Sequence, residues 1–185
     1  MKRAILLTIV TLIGLTIGSS LQTQASTAPD YLALISEKNK TMSSLLEDRS
    51  NMQETITFLH QHISETATFE MSMSNTTMPK DMLQQNIKMS KADYINTFIH
   101  GTHYVDDYEV SIETIAVQPA NDGKSVISQE IMTEQGVALN PNDVKEAGKA
   151  FISTTKCITT HKIEGEKAVA VDAKCHTNTS FVNDI

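Results

Sequence analysis

Tryptophan is absent from this chain, and its 185 residues include only seven glycines, four prolines and two cysteines. Aromatic residues make up 5%. Each shortage excludes something. Few glycines leave little material for a loop that cradles phosphate, and neither GxGxxG nor GxxxxGK[ST] occurs. There is no GxSxG to place a serine on a strained elbow. The missing CxxC argues against thiol–disulfide catalysis, and the missing HExxH against a zinc protease. Basic residues are outnumbered 15 to 22, for a net charge of −7. A basic face able to hold nucleic acid or anionic lipid is not expected from that balance. Such a surface keeps a protein soluble, and it also suits a neutral or cationic partner. No residue pattern calls for a cofactor or a metal.

Long apolar runs are missing too, with one exception. Met1-Lys2-Arg3 precedes an apolar stretch from Ala4 to Leu21, then Gln22-Thr23-Gln24-Ala25. A basic start, a greasy middle and a small-residue exit are the layout of a secretory signal peptide. Thr23 and Ala25 suit a cut before Ser26. The expected organisation is therefore a signal peptide over 1–25 and one domain over 26–185, exported to a periplasm or secreted by a bacterium. The rival reading is an uncleaved anchor, since the stretch sits at the short edge of what spans a bilayer. It is diluted by Thr8, Thr11, Thr16, Gly14 and Gly18, and no basic cluster follows it. Cleavage takes away Lys2 and Arg3 and no acid, so the remainder would carry −9 rather than −7. Asn39, Asn75 and Asn178 begin N-x-[ST] triplets, acceptors only in a eukaryote.

Asp30 can cap a helix whose inner face carries Tyr31, Leu34, Ile35, Met42 and Leu45, ending near Glu47. Ser50 and Gln53 read as a capping box for a second helix with an apolar stripe of Met52, Ile56, Leu59 and Ile63. Ala67, Phe69, Met71 and Met73 then alternate with polar residues, the period of a half-buried strand. Pro79 suggests a short helix over 79–86. Ser90-Lys91-Ala92-Asp93 caps a third helix, turning Ile95, Phe98 and Ile99 inward, with Gly101 as its stop. From Tyr108 only strands are expected. Tyr108 to Gln118 turns at Asp122-Gly123 into Val126 to Gln135, and residues 136–148 read as loop. Phe151 to Ile163 and Lys167 to Phe181 form the last hairpin. Pairing Ile163 with Val169 sets His161 opposite Val171, Thr159 opposite Ala173 and Cys157 opposite Cys175. Opposed residues lie about 4.5–5.5 Å apart at Cα, so one register aligns the apolar residues and allows a disulfide.

Helices early and strands late give an α+β class, with helices packed on a curved antiparallel sheet. That order resembles the NTF2-like superfamily (SnoaL-like, ketosteroid-isomerase-like). The resemblance is carried by the strand Ala67 to Met73 after a helix, the opening Ser90-Lys91-Ala92-Asp93-Tyr94-Ile95, and the meander Tyr108 to Phe181 with its Asp122-Gly123 turn. A cystatin-like layout is the alternative. The resemblance implies a cone with a pocket at its open end. It leaves the activity open among isomerases, dehydratases, carriers and scaffolds. Family catalysts use a Tyr/Asp or His/Asp set inside the cone, and no local motif here matches one.

Several residues could carry chemistry. His161 shares a strand face with Cys157, Thr159 and Ile163 and can act as a base if that face is concave. His60 lies beside the second helix's apolar stripe and can reach a pocket, whereas His62, two residues on, cannot share a metal with it. Tyr94 and Tyr108 are hydroxyl donors, and Phe69, Phe98 and Tyr108 are candidate pocket walls. Asp107 stands with Asp106, His100 and His103 in a loop whose donor types suit zinc but whose spacing matches no zinc motif. For each, the plainer reading is a packed or solvated side chain. The functional expectation is a module for a small apolar ligand or a protein partner, with a homodimer through the outer sheet face as one form. Alternatives are an isomerase or dehydratase working with an acid/base pair in the cone, and a tethered part of an envelope assembly.

Overall fold

A computed structural model of the chain describes residues 30–75, 85–139 and 148–182. The expected signal segment and most of the helix expected over 79–86 lie outside them. Helix α1 spans Tyr31–Glu47, a single 3-10 turn covers Arg49–Asn51, and α2 spans Met52–His62. Strand β1 is Ile63–Asn75, β2 is Gln85–Ser90, and α3 is Lys91–Thr102. Four long strands follow: β3 Val105–Pro119, β4 Ser125–Ala138, β5 Lys149–Glu164 and β6 Lys167–Phe181. They join in one six-stranded sheet ordered β2-β1-β6-β5-β4-β3.

Local chemistry explains most boundaries. Asp30 accepts the Ala33 N–H and starts α1. Ser90 and Asp93 form the expected reciprocal box at the head of α3. Asp122 accepts the N–H groups of Lys124 and Ser125 while Gly123 takes a φ of 65°, which fixes the β3–β4 turn. The cap of α2 differs from expectation. Asn51, not Ser50, accepts the Glu54 N–H, and Ser50 instead donates to Asp48 within the 3-10 turn. Gly101 does not stop α3, which runs on to Thr102.

Two differences concern the sheet. It is mixed rather than antiparallel, because β1 runs parallel to β6, with Phe69 beside Ala173 and Met71 beside Cys175. The end of the expected 79–86 helix, Gln85 and Asn86, belongs instead to β2, which pairs with β1. Likewise Gly136 to Ala138, expected in a loop, extend β4. In the last hairpin Cys157 faces Cys175 and Thr159 faces Ala173 as expected. A bulge then intervenes, so His161 faces Ala170 and Ile163 faces Ala168, not Val171 and Val169. The Glu164–Lys167 pairing around Gly165, at φ 64°, sets that register from the turn side.

The helices cover one face of the sheet. Leu59, Ile63, Phe69, Ile95, Val110 and Ala173 are at the centre of the core. A smaller cluster gathers Ile35, Val126 and Ala168 at the other end. Helix α1 also runs along the free edge of β3. Its Ser43 hydroxyl accepts the Ile112 N–H at 3.1 Å, and Asn39, one turn earlier, donates to Thr114 at 3.0 Å. An edge that would otherwise present bare N–H groups is thus covered.

Candidate functional site

The inward face of β4 carries Ser128, Glu130, Met132 and Glu134, and with its neighbours it borders a cavity of about 170 Å³ between helices and sheet. Apolar side chains form most of the wall, among them Met42, Phe58, Phe69, Phe98 and Met132. Tyr94 stacks on Phe69 with ring centroids 4.2 Å apart. The disulfide between Cys157 and Cys175 joins β5 to β6 and forms part of the same wall.

Two glutamates lie in this apolar surround, and their environments differ. Glu130 Oε1 accepts from Asn39 at 3.0 Å and Ser128 at 3.1 Å, while Oε2 accepts from Thr159 at 3.1 Å. Nε2 of His161 is 3.6 Å from Oε1. Burial alone would raise the Glu130 carboxyl, but the His161 and Asn39 contacts and the charge of Lys38 outweigh it and hold it well below the usual range. Lys38 borders the cavity as well, and burial lowers its ammonium against the opposing pull of Glu130. Among the described residues Glu134 has a single hydrogen bond, from the Tyr108 hydroxyl at 2.5 Å. Burial pushes its carboxyl up, with that bond a smaller opposing influence. Burial and the nearby glutamates push Tyr94 up to about 12. Tyr108 rises too, through burial and Glu134, despite the Arg49 guanidinium 4.8 Å from its ring centre.

Of the residues singled out in the sequence, Phe69, Phe98, Tyr94 and Tyr108 meet around the cavity. His161 is fully buried on the inward face, but it sits behind Glu130, bonded to Ser128 at 2.9 Å, and forms no part of the wall. Burial lowers its imidazole, which leaves it neutral with Nδ1 unpartnered. His60 is exposed. The helix turns His62 inward instead, stacked on Phe58 at 4.2 Å and bonded to the Ala168 carbonyl at 3.3 Å. Asp107 is exposed on β3 with a φ of 49°. Among the described residues no three His, Cys, Asp or Glu side chains are grouped to hold a metal ion.

Sequence reasoning missed Lys38, Asn39, Glu130 and Glu134. One signal was available: both glutamates share a β4 face with Val126 and Met132, an unusual place for carboxylates.

The comparisons agree on architecture. No family model and no curated protein matches the sequence. Among solved structures, a candidate scytalone dehydratase from Novosphingobium aromaticivorans superposes with a TM-score of 0.56 at 10% identity, covering 84% of this chain and 89% of that one. The beta subunit of a candidate aromatic-ring-hydroxylating dioxygenase from the same organism gives 0.54 at 11%, covering 84% and 92%. A conserved protein from Planctomyces limnophilus gives 0.55 at 5%, covering 78% and 94%. With its helices packed on a curved mixed sheet, the chain has an NTF2-like α+β fold. Identities this low establish the fold and leave the activity to the site.

Proposed function

We propose that this chain is an exported binding module that takes a compact apolar molecule, about the size of a single ring, into its cone. One observation carries the reading: a cavity of about 170 Å³ walled by aromatic and aliphatic side chains, with the two glutamates at its border. A dry apolar cavity of about 150 Å³ is enough to hold benzene. Glu130 is ionised and already accepts several hydrogen bonds, so it orients rather than reacts. Glu134, held toward its protonated form, can donate to or accept from one polar group on the ligand. The test is thermal stability in the presence of phenol, indole and benzene. At least one should raise Tm in a saturable way, and Ala173→Leu, which fills the wall opposite, should abolish the shift. No shift with any of the three, or an unchanged response in the filled variant, overturns the reading.

A second reading rests on the Tyr108–Glu134 pair. A carboxyl that burial pushes up, beside a high-pKa hydroxyl, can when protonated stabilise developing negative charge on a bound oxygen, as an isomerase or dehydratase requires. The position of His161 behind Glu130 weighs against it, since no second base faces the cavity from β5. Recovery of each bound ring compound unchanged separates binding from turnover.

A further inference from the structure

Of the lysines among the described residues, only Lys38 and Lys91 are not exposed, and their ammonium groups end differently. Lys91 donates to the His60 carbonyl at 2.9 Å and to Glu65 at 2.6 Å. Lys38 has no such partner among the described residues. Its Nζ is not sealed in either, since the buried nitrogens without a partner there are Arg49 Nη2 and His161 Nδ1. The amine therefore keeps open space beside it. Lys38 lies one turn before Met42 on α1, and both side chains border the cavity. A long amine on an amphipathic helix ordinarily reaches out to water. This one borders a mostly apolar wall instead.

Titratable groups from three elements surround that amine. Burial lowers the ammonium of Lys38, and the Glu130 carboxylate on β4 opposes that shift. Burial is also the main cause that lowers His62 on α2 and His161 on β5, and the Lys38 charge pushes both further down. Only His62 of the two borders the cavity. Its Nδ1 meets the Ala168 carbonyl at 3.3 Å. A carbonyl only accepts, so the ring proton is on Nδ1 and the lone pair on Nε2. An amine, a neutral imidazole and an ionised carboxylate thus gather at one end of the cavity. Tyr108 and Glu134 stand toward the other, since four strand residues separate Glu134 from Glu130 by about 13 Å.

We infer that Lys38 is a carbonyl-capturing amine, and that the compact molecule admitted to the cavity is an aldehyde held there as an imine. This rests on the cavity reading and names its ligand class. A lysine in an apolar pocket is activated because its uncharged form is the nucleophile. The step needs no further reactant. The Lys38 nitrogen lone pair bonds to the carbonyl carbon as the π pair of C=O moves onto oxygen. His62 Nε2 carries a proton from the nitrogen to that oxygen, giving a carbinolamine. A second proton follows the same route, the hydroxyl leaves as water, and the nitrogen lone pair closes the C=N bond. Amine and aldehyde become imine and water, with nothing oxidised or reduced. A carboxylate ligand would also pair with Lys38, but it would meet the charge of Glu130, whereas a neutral carbonyl does not.

The test treats the intact chain at pH 7 with benzaldehyde and sodium cyanoborohydride, which reduces an imine to a stable secondary amine. Peptide mass spectrometry then locates the label. The expected result is one benzyl group per chain, on Lys38, with about tenfold more label there than on the exposed Lys40 or Lys156. Label spread evenly over the exposed lysines, or Lys38 left unlabelled, overturns the inference. Lys38→Met should lose the label while its circular dichroism stays that of the parent. Should that variant not fold, Ala173→Leu serves: it should cut labelling of Lys38 and leave Lys40 and Lys156 as they were, and undiminished Lys38 label in it overturns the inference. His62→Gln should slow labelling about tenfold, and an unchanged rate overturns the proton route. A Tm rise with phenol or indole but no label on Lys38 sinks this inference alone. No Tm rise with any ring compound sinks the cavity reading and this inference with it.

Discussion

The Ser43 hydroxyl accepts the backbone N–H of Ile112 at 3.1 Å while donating to the Asn39 carbonyl one turn back in its own helix. With Asn39 bonded to Thr114, a polar seam at helical spacing closes the open edge of β3. Ser43→Ala removes the acceptor without adding bulk. It should cost about 1–3 kcal/mol in urea unfolding, the penalty of a strand N–H left without a partner. Ser44→Val, on the exposed neighbour, should stay within about 0.5 kcal/mol.

Glu130 accepts from Asn39, Ser128 and Thr159, so its removal takes an acceptor from donors on three elements. Glu130→Ala should destabilise by about 3–5 kcal/mol. Glu130→Gln retains acceptor capacity at one oxygen and should cost less than half of that. Chemical denaturation at pH 7.5 checks both. Equal losses in the two variants would show that charge, not hydrogen bonding, holds this carboxylate in place.

Acid should weaken the fold in two stages. His161 titrates below its ordinary value of 6.5 because of burial, so the native state holds fewer protons than the unfolded chain between those two values. Its contribution is complete above about pH 6.5 and is lost as pH falls toward the depressed native value. His62, also lowered chiefly by burial, adds to the same slope. Glu130 is likewise depressed, and its share is present above about pH 4.5 and disappears below. Urea midpoints measured from pH 7.5 to 4 should fall in that order. The double variant His161→Gln, His62→Gln should flatten the upper stage only.

Lys91 is nearly buried, yet it opens α3. Its ammonium donates to the His60 carbonyl at 2.9 Å and to Glu65 at 2.6 Å, tying the end of α2 to the start of α3. Lys91→Met should cost about 1.5–3 kcal/mol, the range for hydrogen bonds to a charged group. Glu65→Gln should cost under about 0.5 kcal/mol, since that carboxylate is exposed and solvent-screened. The two melting curves decide which contact matters.

The Cys157–Cys175 bridge spans 18 residues within a hairpin that its own turn already closes. Its loss, by reductant or by Cys157→Ser with Cys175→Ser, should reduce stability by about 2–3 kcal/mol. Ligand response should change as well, because both sulfurs form part of the cavity wall.

How far the sequence carried these conclusions depends on the residue. Opposed cysteines were legible because strand period and turn position agree there, and the bulge that displaces His161 lies four residues beyond, where a Gly-centred turn imposes its own register. Strand β2 was not legible. Six residues give too few alternations, and what selects strand there is pairing with β1 across the chain. His62 rather than His60 turned inward because α2 ends at His62 and β1 begins at once, bringing the last helical residue onto the sheet. Glu130 was hidden by ambiguity, since β4 places Val126 and Met132 on one face and Ile127 and Ile131 on the other. Neither face is cleanly apolar, and only the donors arriving from α1 and β5 decide which one is buried.

The place of β6 in the sheet governs how this chain can assemble. Among the described strands it comes last in the chain, and it stands between the β2–β1 pair and the β5–β4–β3 sheet. Until it arrives, β1 and β5 are both raw edges, and the contact it makes with β1 joins residues about a hundred positions apart. Folding is therefore a late event on a high-contact-order path. A chain cut short before Lys167 would present two open strands at once, which makes it a substrate for aggregation and proteolysis rather than a smaller working domain.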